Sequence, residues 1–321
     1  MKLKFLPLLL TTALPLAALA DGPIDGDIYG KINLTLDMYE ESYDNIAGND
    51  FDEWQLNSNA SRFGVKGKTA LTDSLNAIYQ FEWEVNTDGD GTDLKARNRY
   101  IGLQGGFGKI IGGKHDTPTK LAQKKIDLFN DLYGDIKNTF EGENRLNDIV
   151  MYSTPSMGGF TVTAAFIPGE DGAADGDDGL ADGKSLSFDY SIDNIYLALA
   201  VDRDIDGLDL ERIVGQFTFG AFTLGAMVQQ AEQTNGNLEE QGVFVSGAFK
   251  FGDNALKAQF GTNDKEAGST DSEEQTISLG YDRKLAKSTK AFAYITANVD
   301  TDNANDEAEQ TVFGVGLEHK F

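Results

Sequence analysis

Two histidines and no cysteine leave this 321-residue chain few groups for covalent or metal chemistry. His115 and His319 stand far apart in sequence, without ligand spacing, and no Ser/His/Asp arrangement is visible. Without thiols there is neither a disulfide nor a thiolate metal site. Carboxylates are plentiful. The stretch N-T-D-G-D-G-T-D at 86–93 looks like the start of a calcium loop. Such a loop needs glutamate at its twelfth position, and counted from Asn86 or Asp88 that position holds Arg97 or Arg99. A second acidic run, residues 169–179, has the charge density for weak divalent binding, but such runs more often repel themselves into solvent. Both read as acidic loops. The expectation is a protein that is no enzyme and holds no cofactor and no resident metal, so its chemistry is electrostatic.

The elements that must carry these charges alternate. Ile28, Ile32, Leu34, Leu36 and Met38 fall on one side of a strand, and Lys31, Asn33, Thr35 and Asp37 on the other. Tyr79, Phe81, Trp83 and Val85 oppose Gln80, Glu82 and Glu84. The pattern returns at 160–164, 186–190, 195–201, 222–228 and 277–281. Weaker matches lie at 62–69, 97–104, 108–115, 145–153, 211–219, 242–251, 255–261, 289–297 and 310–321, which makes sixteen predicted strands. The last run ends on Phe321, with His319, Leu317, Val315 and Phe313 on the same side. Chain ends usually fray and are polar; this one is patterned to be paired.

Connections also fall into two kinds. Short ones lie at 105–107, 156–158, 191–194 and 252–254. Long acidic ones lie at 86–93, 168–183, 263–274 and 299–309. Short turns at one end and long loops at the other mark an up-and-down meander. One connection, residues 116–144, carries helical spacing through Leu121, Ile126, Leu128 and Leu132, and a long structured loop is usually functional.

The first twenty residues have Lys2 and Lys4, an apolar core from Phe5 to Leu16, and Ala18-Leu19-Ala20. They read as a secretory signal peptide (1–20) cleaved before Asp21, leaving one domain over 21–321. Thirty-six glycines and six prolines suit many strands and tight turns. A formal net charge of −25 argues against nucleic acid as a partner. After the signal no run of 18 apolar residues appears, which excludes a helical membrane protein. The alternating faces would serve a soluble sandwich or an outer-membrane barrel. Strand lengths near the 9–11 residues of a tilted membrane strand favour the barrel. So do aromatics at strand ends, such as Tyr39, Phe160 and Phe251, and an even strand count that closes the sheet.

Several stretches, in order, make the chain resemble the general bacterial porins. They are I-Y-G-K at 28–31, S-R-F-G-V-K-G at 61–67, A-I-Y-Q-F-E at 77–82, Y-I-G-L at 100–103, N-D-I-V-M-Y-S-T-P-S-M-G-G-F at 147–160, and the terminal G-L-E-H-K-F. The resemblance covers the whole mature chain. It implies an all-β fold, a sixteen-stranded antiparallel transmembrane β-barrel with the long third loop folded into the lumen. It implies a homotrimer in the outer membrane of a Gram-negative bacterium, in contact with lipid and lipopolysaccharide. Phe321 would close the last strand on the first and serve as the signal read by the barrel-assembly machinery. The family's basic wall positions map onto Lys31, Arg62, Arg97 and Arg145; Arg99 and Lys114 match less well because the strand parity there is ambiguous. The family's Pro-Glu-Phe-Gly loop stretch is missing here. Asp127, Asp131 and Asp135 are therefore chosen by charge and spacing as the acids opposing that wall.

Opposed charges across a narrow wet passage align water and polar solutes, and charge ladders set ion preference. The expected function is passive diffusion of ions and small hydrophilic solutes. A substrate-specific channel and a closed structural or adhesive barrel are the alternatives. Selectivity stays open, since the overall acidity favours cations at the mouth while the basic wall favours anions at the throat.

Overall fold

In the computed structural model, the described strand segments pair antiparallel with neighbours on both sides, except Phe51–Ser58, which pairs on one side. The structure describes residues 25–44, 50–89, 91–169, 179–234, 236, 238–267, 270–302 and 306–321. The expected signal peptide, residues 1–20, and most of the 168–183 loop lie outside these residues. Seventeen strand segments make one sheet. β1 (Asp25–Tyr43) pairs with both β2 (Phe51–Ser58) and β3 (Arg62–Thr72), in continuous sequence along its length. Those two segments are one stave, broken at Asn59-Ala60-Ser61, where Ala60 has a left-handed backbone (φ 47°). The barrel is therefore sixteen-stranded and antiparallel.

The staves continue as β4 (Leu75–Val85), β5 (Leu94–Gly105), β6 (Gly108–Asp116), β7 (Arg145–Ser153), β8 (Phe160–Ile167) and β9 (Gly183–Ile192). Next come β10 (Ile195–Ile205), β11 (Leu208–Phe219), β12 (Phe222–Gln233) and β13 (Glu239–Phe251). β14 (Asn254–Ala267), β15 (Thr270–Ala286), β16 (Thr289–Asp302) and β17 (Glu307–Lys320) complete the wall. Closure is β17 on β1, with Leu36 opposite Val315. The Phe321 amide donates to the Gly30 carbonyl at 3.1 Å, and the Gly30 amide to the Phe321 carbonyl at 3.0 Å. Closure pairs the first stave with the last, so the backbone groups along this seam are satisfied without water.

The period of two sets which face is wet. Ile28, Leu36, Met38, Phe81, Ile101, Leu199, Ile213, Leu279 and Leu317 are all exposed on the outside. Their chain neighbours Asn33, Thr35, Asp37, Glu82 and Arg212 are buried on the lumen side. Stacked Phe217, Phe219, Phe222, Phe249 and Phe251 line the outer face at the short-turn end, as an interfacial aromatic girdle does.

Two acidic connections turn out to be strand. Residues 263–274 are largely β14 and β15, and 299–309 largely β16 and β17; residues 268–269 and 303–305 lie outside the described set. The 17-residue β15 and 19-residue β1 exceed the length needed to cross a bilayer. Above the hydrocarbon both faces of a strand meet water, so the apolar alternation that marks the strands below is missing there.

Candidate functional site: a charged passage beside the inward loop

The connection between β6 and β7 folds into the lumen. Its helix α1 covers only Pro118–Ala122, capped by Thr117, whose side chain accepts from the Lys120 amide. A 3-10 turn, Ile136–Asn138, is capped by Asp135. The helical spacing expected through Leu128 and Leu132 is not helix. Leu121 is exposed, while Ile126 and Phe129 are plugs with no exposed surface.

Those plugs dock the loop on one side of the barrel. Ala122, Ile126, Ile136 and Phe140 pack with Tyr196, Ala198, Val214, Met227 and Phe244 on β10–β13. Phe129, with Leu128, Leu132 and Tyr133 beside it, packs with Tyr39, Phe292, Tyr294 and Val312. Wall glycines make the room. A Cβ at Gly225 would lie 2.7 Å from Ile126, at Gly280 2.7 Å from Phe129, and at Gly242 2.4 Å from Phe140. Polar pins add to this. The Leu128 amide donates to Gln259 Oε1 at 2.9 Å, and Lys257 Nζ donates to the Leu128 carbonyl at 3.0 Å.

The opposite side stays open as a cavity of about 570 Å³ between loop and wall. Arg62, Arg97 and Arg145 line it, and Lys31 reaches the same loop acid as Arg62. Asp131 Oδ2 accepts from Lys31 Nζ at 2.8 Å and from Arg62 Nη2 at 2.6 Å. Arg97 is held by Glu82 (2.8 Å) and Glu84 (2.7 Å), and Arg145 Nη2 lies 2.9 Å from Asp116. The four expected wall residues and Asp131 thus meet in one place.

Asp127 and Asp135 line the cavity too, but neither touches a wall cation. Asp127 accepts from the Phe129 and Ile136 amides at 2.9 and 3.1 Å. Asp135 accepts from the Asp131 and Lys137 amides, and its ion pair among the described residues is with Lys137, on the loop itself. They hold the loop's shape. Without a helix, spacing by four does not put three acids on one face. Arg99 and Lys114 are directly opposed on β5 and β6, and Arg99 is opposed to the outward Phe81 on β4, so this pair faces outward rather than into the passage.

The loop acids differ in electrostatics. Burial and the neighbouring Asp135 push the Asp127 carboxyl well above the usual range, against the two amide hydrogen bonds. Burial also acts to raise Asp131, but Lys31 and Arg62 outweigh it and hold that carboxyl below its ordinary value.

Sequence reasoning missed the basic side of the loop. Lys120, Lys124, Lys125 and Lys137 line the cavity. Lys124 lies 4.0 Å over the Tyr196 ring, and among the described residues neither Lys124 nor Lys125 pairs with a carboxylate. The run K-L-A-Q-K-K at 120–125 is the sequence signal for this basic side. Arg212 was missed as well. It sits on the lumen side of β11 and binds the loop through Glu143 at 2.7 Å.

A family model described as Gram-negative porin matches residues 8–305. The chain belongs to the Gram-negative porin family. Major outer membrane protein P.IB of Neisseria sicca is 25% identical, with 99% of each chain covered. An anion-selective porin from Comamonas acidovorans shares the fold at a TM-score of 0.76 and 20% identity, covering 93% of this chain and 100% of that one. OmpT of Vibrio cholerae in a trimer form does so at 0.67 and 19%, covering 93% and 99%. The protein is thus an outer-membrane porin of Gram-negative type, a water-filled channel for passive diffusion of ions and small hydrophilic solutes.

Proposed function

We propose that the passage between the loop and the β3–β7 wall is the constriction of this porin, and that it favours anions. The carrying observation is which charges are already engaged. Glu84, Asp116, Asp131 and Glu143 each meet a wall arginine, and Asp127 and Asp135 are satisfied mainly by loop amides. Lys124 and Lys125 face the cavity without a carboxylate partner among the described residues. A chloride or carboxylate entering therefore meets donors with spare capacity, whereas a cation meets acids already neutralised. In that role Lys31, Arg62, Arg97 and Arg145 are the basic wall, Asp131 is the loop acid that faces it, and Asp127 and Asp135 keep Asp131 in place. The anion selectivity of the Comamonas porin supports this reading. The acidic outer surface, net −25 for the chain, concentrates cations at the mouth and works against it. The reversal potential across a salt gradient tests which wins. Arg62→Ala and Arg145→Ala should each move it toward cation preference, and no movement in either would remove these residues from the filter.

The assembly we read is a homotrimer. The trimer form of the Vibrio cholerae neighbour supports it. So does the outward pair Arg99–Lys114, since a charge facing lipid at the midplane costs about 2–4 kcal/mol, a cost that a subunit contact avoids. Cross-linking of purified protein should give a three-subunit band. Residues 1–20 are the export signal in this account, and the remaining outer face meets lipid and lipopolysaccharide. Phe321 is the assembly signal, supported by its backbone pairing with Gly30 at the closing seam.

A further inference from the structure

Arg212 is an arginine that no solute can reach. Its side chain has 0% exposure, against 19% for Arg62 and 18% for Arg145. Among the described residues it makes four hydrogen bonds, three of them to the loop. Nη1 donates to Glu143 Oε1 at 2.7 Å and to the Thr119 carbonyl at 3.4 Å. Nη2 donates to the Glu141 carbonyl at 2.7 Å, and Nε to Gln229 Oε1 at 2.8 Å. Gln229 Nε2 in turn donates to the same Glu141 carbonyl at 3.1 Å. Thr119 belongs to the loop's outgoing arm and Glu141 to Glu143 to its returning arm, so one guanidinium ties both. Gly142 shows how close the contact is. Its backbone is left-handed (φ 90°), and a Cβ there would lie 2.9 Å from Arg212 Nη2 and 2.8 Å from Leu210 Cδ1.

Glu143 gives this anchor an electrical side. It also lines the passage, yet is only 7% exposed because it turns back onto Arg212. We propose that Arg212 is the positioning residue of the pore loop and that it also withholds the Glu143 charge from the passage. Part of the anion preference of the throat then comes from a residue outside it. This rests on the reading of the passage as the constriction, but every comparison below is with the wild-type protein's own ratio. A wild type that prefers cations would contradict the anion reading and leave this test intact.

The test is planar-bilayer recording of the wild-type porin, Arg212→Gln, Glu143→Gln, the double variant and Arg212→Lys. Arg212→Gln leaves one unpaired carboxylate beside the passage, and it should raise conductance and move the permeability ratio toward cations by about two- to threefold, the effect of one unit charge some 7 Å away through water. Glu143→Gln leaves the guanidinium unbalanced and should move the ratio toward anions, with conductance near wild type because the carbonyl bonds remain. The double variant should regain the wild-type ratio while keeping the raised conductance. Arg212→Lys keeps the charge but cannot span both arms, so conductance rises at an unchanged ratio. Raised conductance in Arg212→Gln with an unchanged ratio would overturn the charge role, and unchanged conductance would overturn the positioning role. If Arg212→Gln does not assemble, Glu143→Gln decides, and a wild-type ratio there overturns the proposal.

Discussion

The two halves of the lumen use the same kinds of residue for opposite ends. On the β10–β17 side, glycines and small residues let Ile126, Phe129 and Phe140 seat against the wall, and the cations Arg212 and Lys257 are spent on loop carbonyls, on the loop's Glu143 and on the half-buried wall carboxylate Asp282. On the β3–β7 side no plug covers the wall, and Arg62, Arg97 and Arg145 keep a wet edge. The difference lies in coverage rather than in residue type. An arginine under the loop becomes a fastener, and one facing the loop across water becomes part of a field. A buried charge is tolerated only when paired and hydrogen-bonded, which is why Arg212 has four partners. A lumen charge in water needs fewer.

The largest effect should come from breaking the docked side. Phe140→Ala removes a ring that packs on Phe244 and fills the space at Gly242. Such a truncation costs about 3–5 kcal/mol. We expect the loop to come off the wall, higher and noisier conductance, and passage of larger sugars in liposome swelling; an unchanged size limit would show that the loop is held elsewhere. Next is the open side. Arg62→Ala and Arg145→Ala should each lower the anion-to-cation permeability ratio about three- to fivefold, as expected for one charge within a few ångströms of the ion path. They should leave the size limit alone, the reverse of Phe140→Ala. Smaller again, Lys124→Gln and Lys125→Gln should each lower the ratio about twofold, since these side chains are more exposed and better screened.

The smallest effect is that of mild acid. Asp131, held below the ordinary carboxylate value of 3.8 by Lys31 and Arg62, contributes stability that is present above pH 3.8 and is lost only as pH falls through its depressed value. Asp127 is shifted the other way. Its contribution is fully present below 3.8 and is lost as pH rises through its raised value. Selectivity between pH 7 and pH 5 should therefore not move through Asp131, and a titration of reversal potential that changes there and vanishes in Asp131→Asn would contradict this assignment.

The barrel was legible in the sequence because lipid on one side and water on the other force a period of two. Ile28 to Met38 and Tyr79 to Val85 show it plainly. It was not legible where that asymmetry ends. Phe51–Ser58 has only Trp54 and Leu56 as outward apolar residues, too few for a period of two to show in this half of the second stave. The tops of β14–β17 are acidic on both faces and read as loops. The wall arginines were found by resemblance of short motifs, and Asp131 by charge. Asp127 and Asp135 looked identical to Asp131 in sequence; only the path of the loop turns one acid toward Lys31 and Arg62 and two toward its own amides. Arg212 gave an alternation signal beside Leu210 and Val214, but nothing local says that a loop some seventy residues earlier will cover it.

The contrast between covered and open cations can be observed directly. Crystals of the porin soaked in bromide, with data collected at the bromine absorption edge, locate anions by anomalous scattering. The account predicts bromide in the passage beside Arg62, Arg145, Lys124 or Lys125, and none at Arg212. Bromide at Arg212, or a passage empty of bromide while the outer mouth binds cations, would contradict it.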